Sequence, residues 1–265
     1  MIMNRKLRLL LCSLLLPLGA CVHELSAIGV TEVVYSDVVI REEGELGSYV
    51  QATYPALSGS RVQSELSEAI RDAVMARFGE WRDFVITRSA KSAEGMKSEP
   101  DDYGLSHMGW RTEGTYFLGH LGETSVSLCM KEYGYTGGAH GNWSFFPINY
   151  MWDGDTIKEV SISDLFDEER PWMPLLDAAI RRGHIALLER RYANKDYVAE
   201  IKADLGGVPG MHRGVPFSFS SRGVVFYFAP YFLGSFVEGD FLVFVPTADI
   251  QDMLAPDGPM GRLLK

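Results

Sequence analysis

Residues 133–142 read Tyr-Gly-Tyr-Thr-Gly-Gly-Ala-His-Gly-Asn, four glycines and one histidine set between two apolar, strand-like runs. Glycine has no Cβ and enters positive φ without steric cost. Such a run lets the backbone reverse sharply, or lets it approach another chain or a ligand closely. What the turn presents is His140, flanked by Tyr133, Tyr135 and Trp143. Two readings follow: a tight connection whose histidine is simply hydrogen-bonded in place, or a binding or catalytic loop.

Either side of this turn the chain reads as two similar passages. In the first, β-branched and apolar residues 32–40 and 49–54 flank the turn-forming segment 43–47 and predict paired strands. Ser60 and Gln63 have capping-box spacing, and Val62, Leu66, Ala69, Ile70, Ala73 and Trp81 recur at helical intervals, which predicts a helix to about Phe84 with Phe78 and Trp81 in the core. Residues 91–103 are polar and aperiodic and read as a surface loop. Strands over 105–118 and 124–133 then lead into the glycine run.

The second passage opens with the apolar, aromatic run 142–152, the hairpin dipeptide Asp153-Gly154 and a returning strand 155–160. Asp153-Gly154-Asp155 lacks the sixth-position glycine and twelfth-position acid of a calcium loop. A helical turn at 163–167, a helix begun by Pro171 and a further helical stretch 194–205 follow. His184 borders the stripe of the Pro171 helix and reads as a satisfied core-edge residue. A hairpin over 217–220 and 224–228, a last strand 241–245 and a helical segment 248–254 capped by Thr247 complete the passage. The Pro- and Gly-rich tail 255–265 is expected to be weakly ordered. The order predicts an α+β fold with mainly antiparallel sheets and helices packed on one face, divided as 32–133, 134–254 and a tail.

The first twenty residues stand apart. Arg5, Lys6 and Arg8 precede the apolar run 9–18, which is too short to span a bilayer, and Leu18-Gly19-Ala20-Cys21 closes it with small residues. This is an export signal at 1–20, and its ending resembles the bacterial lipobox. That resemblance implies cleavage before Cys21 and lipidation of its thiol, giving a lipid-anchored protein of the bacterial cell envelope. The alternative is an ordinary secretory signal cleaved near Ala20. Cys129 is then the one cysteine left for the folded part and reads as strand packing. With 25 basic and 35 acidic residues, of which the signal removes three basic ones, the processed chain carries 22 against 35, a charge of −13. That balance argues against nucleic acid and favours a cationic partner.

Three stretches carry a family likeness: Tyr135-Thr136-Gly137-Gly138-Ala139-His140-Gly141, Ile162-Ser163-Asp164-Leu165-Phe166, and the run 226–239 from Phe226-Tyr227-Phe228-Ala229-Pro230-Tyr231 to Glu238-Gly239. Together they resemble the RsiV-type extracytoplasmic domain, a domain of unknown function named for an anti-sigma factor that binds lysozyme. The first passage is similar to the partner domain that usually precedes it. The resemblance implies an envelope-facing α+β binding module, with lysozyme binding in one branch and no catalytic residues common to the family. A lipobox stands where RsiV has a transmembrane helix. The partner domain also precedes the catalytic domain of a peptidoglycan deacetylase, but these residues are expected to supply neither that domain nor the sigma-binding segment of RsiV.

The candidate binding residues are therefore Tyr135, Thr136, Gly137, Gly138, His140, Trp143, Tyr231 and Glu238, with a lysozyme-like cationic protein or a peptidoglycan fragment as partner. Aromatic residues beside glycine turns suit protein or sugar recognition, while Phe226, Phe228 and Phe241 read as core. The sequence has no nucleophile elbow, zinc helix, phosphate loop or paired cysteines, so neither cofactor nor metal is expected. The competing reading is a wall-directed hydrolase or amidase with His140 as general base. His107 or His120 would then be its nearest histidine partner.

Overall fold

The computed structural model describes residues 33–44, 47–96, 109–137, 139–205 and 212–265. Expectations placed on the signal, Cys21, His107 and Gly138 lie outside the described residues.

The centre of the fold is β4 (Ser125–Tyr135), buried along most of its length. It lies in a six-stranded sheet of order β1-β2-β3-β4-β5-β6, where β1 is Val34–Glu43, β2 Tyr49–Ser58, β3 Arg111–Leu121, β5 Asn142–Trp152 and β6 Ile157–Glu159. All neighbours are antiparallel except β2 and β3, which run parallel. Parallel neighbours need a long crossover, and helix α1 (Arg61–Met96) supplies it. The capping box forms as the spacing predicts: the Gln63 N–H donates to Ser60 Oγ at 3.3 Å and the Ser60 N–H to Gln63 Oε1 at 2.8 Å. The helix runs on through residues 91–96, where sequence predicts loop, because no proline intervenes and the single Gly95 costs only about 1 kcal/mol in a helix.

One face of this sheet packs on α1 through Val126, Leu128, Met130 and Ile148 against Leu66, Ile70 and Val74. The other face receives a three-stranded antiparallel sheet of order β7-β8-β9, with β7 Phe217–Ser220, β8 Gly223–Phe228 and β9 Phe241–Pro246. Cys129, Phe145 and Tyr227 fill the space between the sheets. Burial pushes the Cys129 thiol well above its ordinary pKa, so it is packing and not a nucleophile. On its far side the small sheet packs on α2 (Trp172–Arg191), with Leu176, Ile180 and Leu188 against Phe217, Phe226, Phe228 and Phe241. The helix α3 (Lys195–Leu205) follows, opened by Asn194, whose side chain accepts from the Asp196 and Tyr197 N–H groups. Hydrophobic packing thus stacks four layers, α1, large sheet, small sheet and α2. Sequence predicts an α+β class, and the structure has it.

A buried polar clamp joins the sheets. Ser127 and Asn149 face each other across β4 and β5, and Ser127 Oγ donates to Asn149 Oδ1 at 2.6 Å. The same hydroxyl accepts from the Phe219 N–H at 2.6 Å, while Asn149 Nδ2 donates to the Phe217 carbonyl at 3.0 Å. These are the backbone groups on the β7 edge that β8 does not pair. At Gly119, beside a register shift in β3, an added Cβ would lie 2.8 Å from the Phe219 carbonyl oxygen. Only glycine lets β7 come this close.

Three boundaries differ from expectation. The division between 133 and 134 falls inside β4, and Val33–Lys265 forms one compact unit, because a shared sheet runs through both passages. The tail is ordered: α5 (Pro259–Leu263) buries Met260 completely in the α2 core. Gly261 permits this return, since a Cβ there would meet the Ala255 carbonyl oxygen at 2.1 Å. Thr247 does not cap by its side chain. It is the first residue of α4 (Thr247–Ile250), and its hydroxyl donates to the Ser221 carbonyl at 2.8 Å.

Ser127→Ala leaves the Phe219 N–H buried without an acceptor, and is expected to lower the unfolding free energy by about 1–3 kcal/mol in urea titration. Met260→Ala is expected to cost about 2–5 kcal/mol by the same measurement, against no effect if the tail were loose.

Candidate functional site

The glycine run is the loop between β4 and β5, and the chain reverses there through Gly137 at φ +95°. Tyr135 ends β4 inside the fold, 5% exposed, with the Arg111 guanidinium 5.4 Å from its ring centroid. It is core and not a recognition residue, because β4 is covered on both faces. Thr136 and Gly137 are exposed at the tip. His140 is also exposed, and its Nδ1 donates to the Gly141 carbonyl at 2.9 Å.

The His140 ring stacks on Phe236, centroids 3.9 Å apart and planes 21° apart. Trp143 meets the same phenyl ring at 5.4 Å and Tyr231 at 5.7 Å. Two loops about ninety residues apart in sequence therefore share one aromatic cluster, with Phe236 at its centre. The sequence marks every member except Phe236 as a binding residue, and Phe236 lies within the family-likeness run 226–239. The signal was there: Phe236 and Val237 stand between Gly234 and Gly239, a stretch too broken for strand or helix, where apolar residues need another reason.

From this cluster a short ridge projects. Tyr231 is 63% exposed, Phe232 58% and Val237 93%, three large apolar side chains within seven residues. Tyr231 holds φ at +70°, and among the described residues it is the only non-glycine with positive φ. That conformation costs about 1–2 kcal/mol for an L-residue and persists only where the surroundings enforce it.

The enforcement is visible. Glu238 Oε2 accepts from the Ser235 N–H at 2.6 Å and the Ser235 hydroxyl at 3.1 Å, while Oε1 accepts from Tyr197 at 2.8 Å and Tyr192 at 2.9 Å. Burial works against ionisation of Glu238. These hydrogen bonds outweigh it and hold the carboxyl below its ordinary pKa. Arg191 donates to the Glu238 carbonyl at 2.8 Å and the Asp240 carbonyl at 3.2 Å. Lys131 pairs with Asp240 at 2.9 Å and lies 4.8 Å from the Trp143 ring centroid. Glu238, expected as a ligand contact, is instead the brace that fixes the ridge, because its acceptor sites are engaged within the chain.

Below the ridge lies His184, fully buried on α2, edge-on to Phe241 with centroids 5.1 Å apart. It is not the satisfied residue its sequence position suggests, since neither ring nitrogen has a hydrogen-bond partner among the described residues. Burial, with Arg191 nearby and Glu238 opposing, lowers its pKa from 6.5 to about 4, so it stays neutral.

Of the two histidine partners offered for His140, His120 does not reach it. His120 stands opposite Ser127 near the start of β4, whereas the glycine loop follows Tyr135 at its other end. Eight residues of strand separate them, roughly 25 Å. Among the described residues no carboxylate or hydroxyl is within hydrogen-bond reach of His140. No group of three or more potential metal ligands is found among the described residues, nor any helix long and apolar enough to cross a membrane.

A cleft between α1 and the sheet holds Glu132, whose two oxygens both lie 2.9 Å from Arg77 Nε, with Trp81 Nε1 and Thr112 Oγ1 buried nearby and without partners among the described residues. Its free space is about 20 Å³. One water needs roughly 10–15 Å³, so the cleft is too small for an organic ligand.

The sequence matches no protein-family model and no curated protein. Solved structures do match. A DUF3298-family protein from Bacteroides fragilis superposes with a TM-score of 0.60 at 13% identity, over 88% of this chain and 97% of that one. Another from Pseudomonas aeruginosa gives 0.57 at 14% identity, over 85% and 96%. The fold is that of the DUF3298 structures. At such identities the likeness concerns fold alone. RsiV-type domains are related to this DUF3298 class, whose function is unknown.

His184 also gives a pH dependence. The unfolded chain takes up its proton near pH 6.5 and the folded chain only near 4. Unfolding therefore binds a proton between these values, and stability falls as pH drops from about 6.5 to about 4. Urea titrations across this range are expected to show a shallower fall for His184→Leu than for wild type.

Proposed function

We propose that this protein is a binding module of the bacterial cell envelope, tethered through a lipid on Cys21, that takes hold of a partner with the aromatic ridge. The observation that carries this reading is the pairing of exposure with rigidity. Tyr231, Phe232 and Val237 stand in solvent on a segment fixed from β4, the glycine loop, α2 and α3. Large apolar side chains held in place lose little entropy on binding, which is the property of interface hot spots. The charged groups beside them are engaged within the chain, Glu238 and Arg191 by hydrogen bonds and Lys131 with Asp240 as an ion pair, so the side chains the ridge presents are apolar. Long-range attraction comes from the −13 of the processed protein.

This combination suits a cationic, wall-directed protein of the lysozyme kind, steered by charge and seated on aromatics, or a peptidoglycan fragment stacked on the same rings. A hydrolase reading of His140 gains nothing from the geometry. The imidazole is committed to a stack with Phe236 and to the Gly141 carbonyl.

Titration calorimetry of the processed protein against lysozyme at low and moderate salt is expected to give heat at both, with weaker binding at higher salt. Tyr231→Ala with Phe232→Ala is expected to weaken binding at least about 30-fold. Absence of heat at both salt concentrations removes the lysozyme version and leaves peptidoglycan fragments as the titrant to try. Cys21→Ser is expected to move the protein from the membrane fraction to the soluble one.

A further inference from the structure

The large sheet ends in two very different edges. On one side β6 is three residues long, a length that offers little to an incoming strand. On the other, β1 is ten residues long and pairs with β2 in unbroken register from Val34↔Ser58 to Glu43↔Tyr49. It has no bulge, proline or lysine, three of the devices that ordinarily blunt an edge, and its charges are Asp37, Arg41, Glu42 and Glu43. Among the described residues no strand pairs with its outer side. Val34, Tyr35 and Val39 are 57%, 46% and 55% exposed, so apolar surface is concentrated on this strand.

We propose that two copies of this chain pair antiparallel through their β1 edges, making one continuous twelve-stranded sheet about a two-fold axis at Val39. The register follows from charge. Directly opposed residues share a face of the sheet, so the axis must pass through a residue. Centred on Val39, the pairing sets Asp37 against Arg41 of the second copy twice, with Val39 against Val39 between them. On the α1 side Val38 faces Ile40, and both already pack toward the core. Centring on Ile40 opposes Asp37 to Glu43, two like charges, and centring on Val38 leaves Arg41 facing Tyr35. Only the Val39 register is self-complementary, with opposite charges worth a few tenths to about 1 kcal/mol for each cross-strand pair.

Asp37 already accepts a hydrogen bond from Tyr116, and Arg41 holds Glu43 and Gln51, so pairing adds a second partner to Asp37 and a third to Arg41 rather than burying a lone charge. This surface is separate from the aromatic ridge, so dimerisation and ligand binding can fail independently.

Analytical ultracentrifugation of the full chain in mild detergent is expected to give the mass of two chains. Asp37→Arg and Arg41→Asp singly are expected to give the mass of one, and the double variant the mass of two again, since reversal of both charges recreates the pair. Thermal melts by circular dichroism establish that each variant is folded. Independently, Val39→Cys places a thiol opposite itself at a separation a disulfide can span, and mild oxidation is expected to trap a covalent dimer. Val34→Cys, away from the axis, is expected to behave as wild type under the same oxidant. A single-chain mass for wild type at about 100 µM overturns the proposal. So does a dimer indifferent to either single reversal, a folded double variant that remains single, or cross-linking no greater at 39 than at 34.

Discussion

The fold depends on two polar side chains in an apolar layer. A small sheet can lie against a large one only if its facing edge is not left with bare N–H and carbonyl groups, because each such group buried without a partner costs about 1–3 kcal/mol. Ser127 and Asn149 meet that requirement for β7, and Gly119 provides the clearance. Elsewhere the packing between the sheets is Cys129, Phe145 and Tyr227, which fixes distance but not register. The hydrogen bonds supply the register. They also decide where the 231–240 segment emerges, since it connects β8 to β9 of the small sheet.

From that placement the surface chemistry follows. The glycine loop belongs to the large sheet and the ridge to the small one, so their contact through His140 and Phe236 is an inter-sheet contact. Lys131 and Asp240 repeat it as an ion pair half-shielded from solvent. The α2 and α3 side adds Arg191, Tyr192 and Tyr197. A strained residue such as Tyr231 is tolerable in this frame because four elements hold its neighbours. The large apolar groups are left in solvent at the point where the backbone is most firmly held, which is the reverse of an ordinary loop tip.

Much of the architecture was legible in the chain. Alternation and turn dipeptides located the strands, and the Ser60 and Gln63 spacing located the start of α1. The site was legible as two separate stretches. The tail was not, because Pro and Gly composition says where regular structure stops and not whether the residues between are buried. Met260 is held by a core built from α2 and the small sheet, which no local pattern in 255–265 reports. Tyr135 failed for the same reason: beside glycines it looks like a displayed aromatic, yet both faces of its strand are covered.

By itself the sequence determined the α+β class, the approximate strand positions, the start of α1 and the acidic balance, since these rest on periodicity, glycine and proline geometry and counted charge. Tertiary structure alone decided that Glu238 is a brace, that Phe236 joins two distant loops and that, among the described residues, His184 is buried with no partner and β1 has no strand on its outer side. Each of those depends on what lies opposite a residue in space, and partners brought together across ninety residues leave no trace in the local pattern of either.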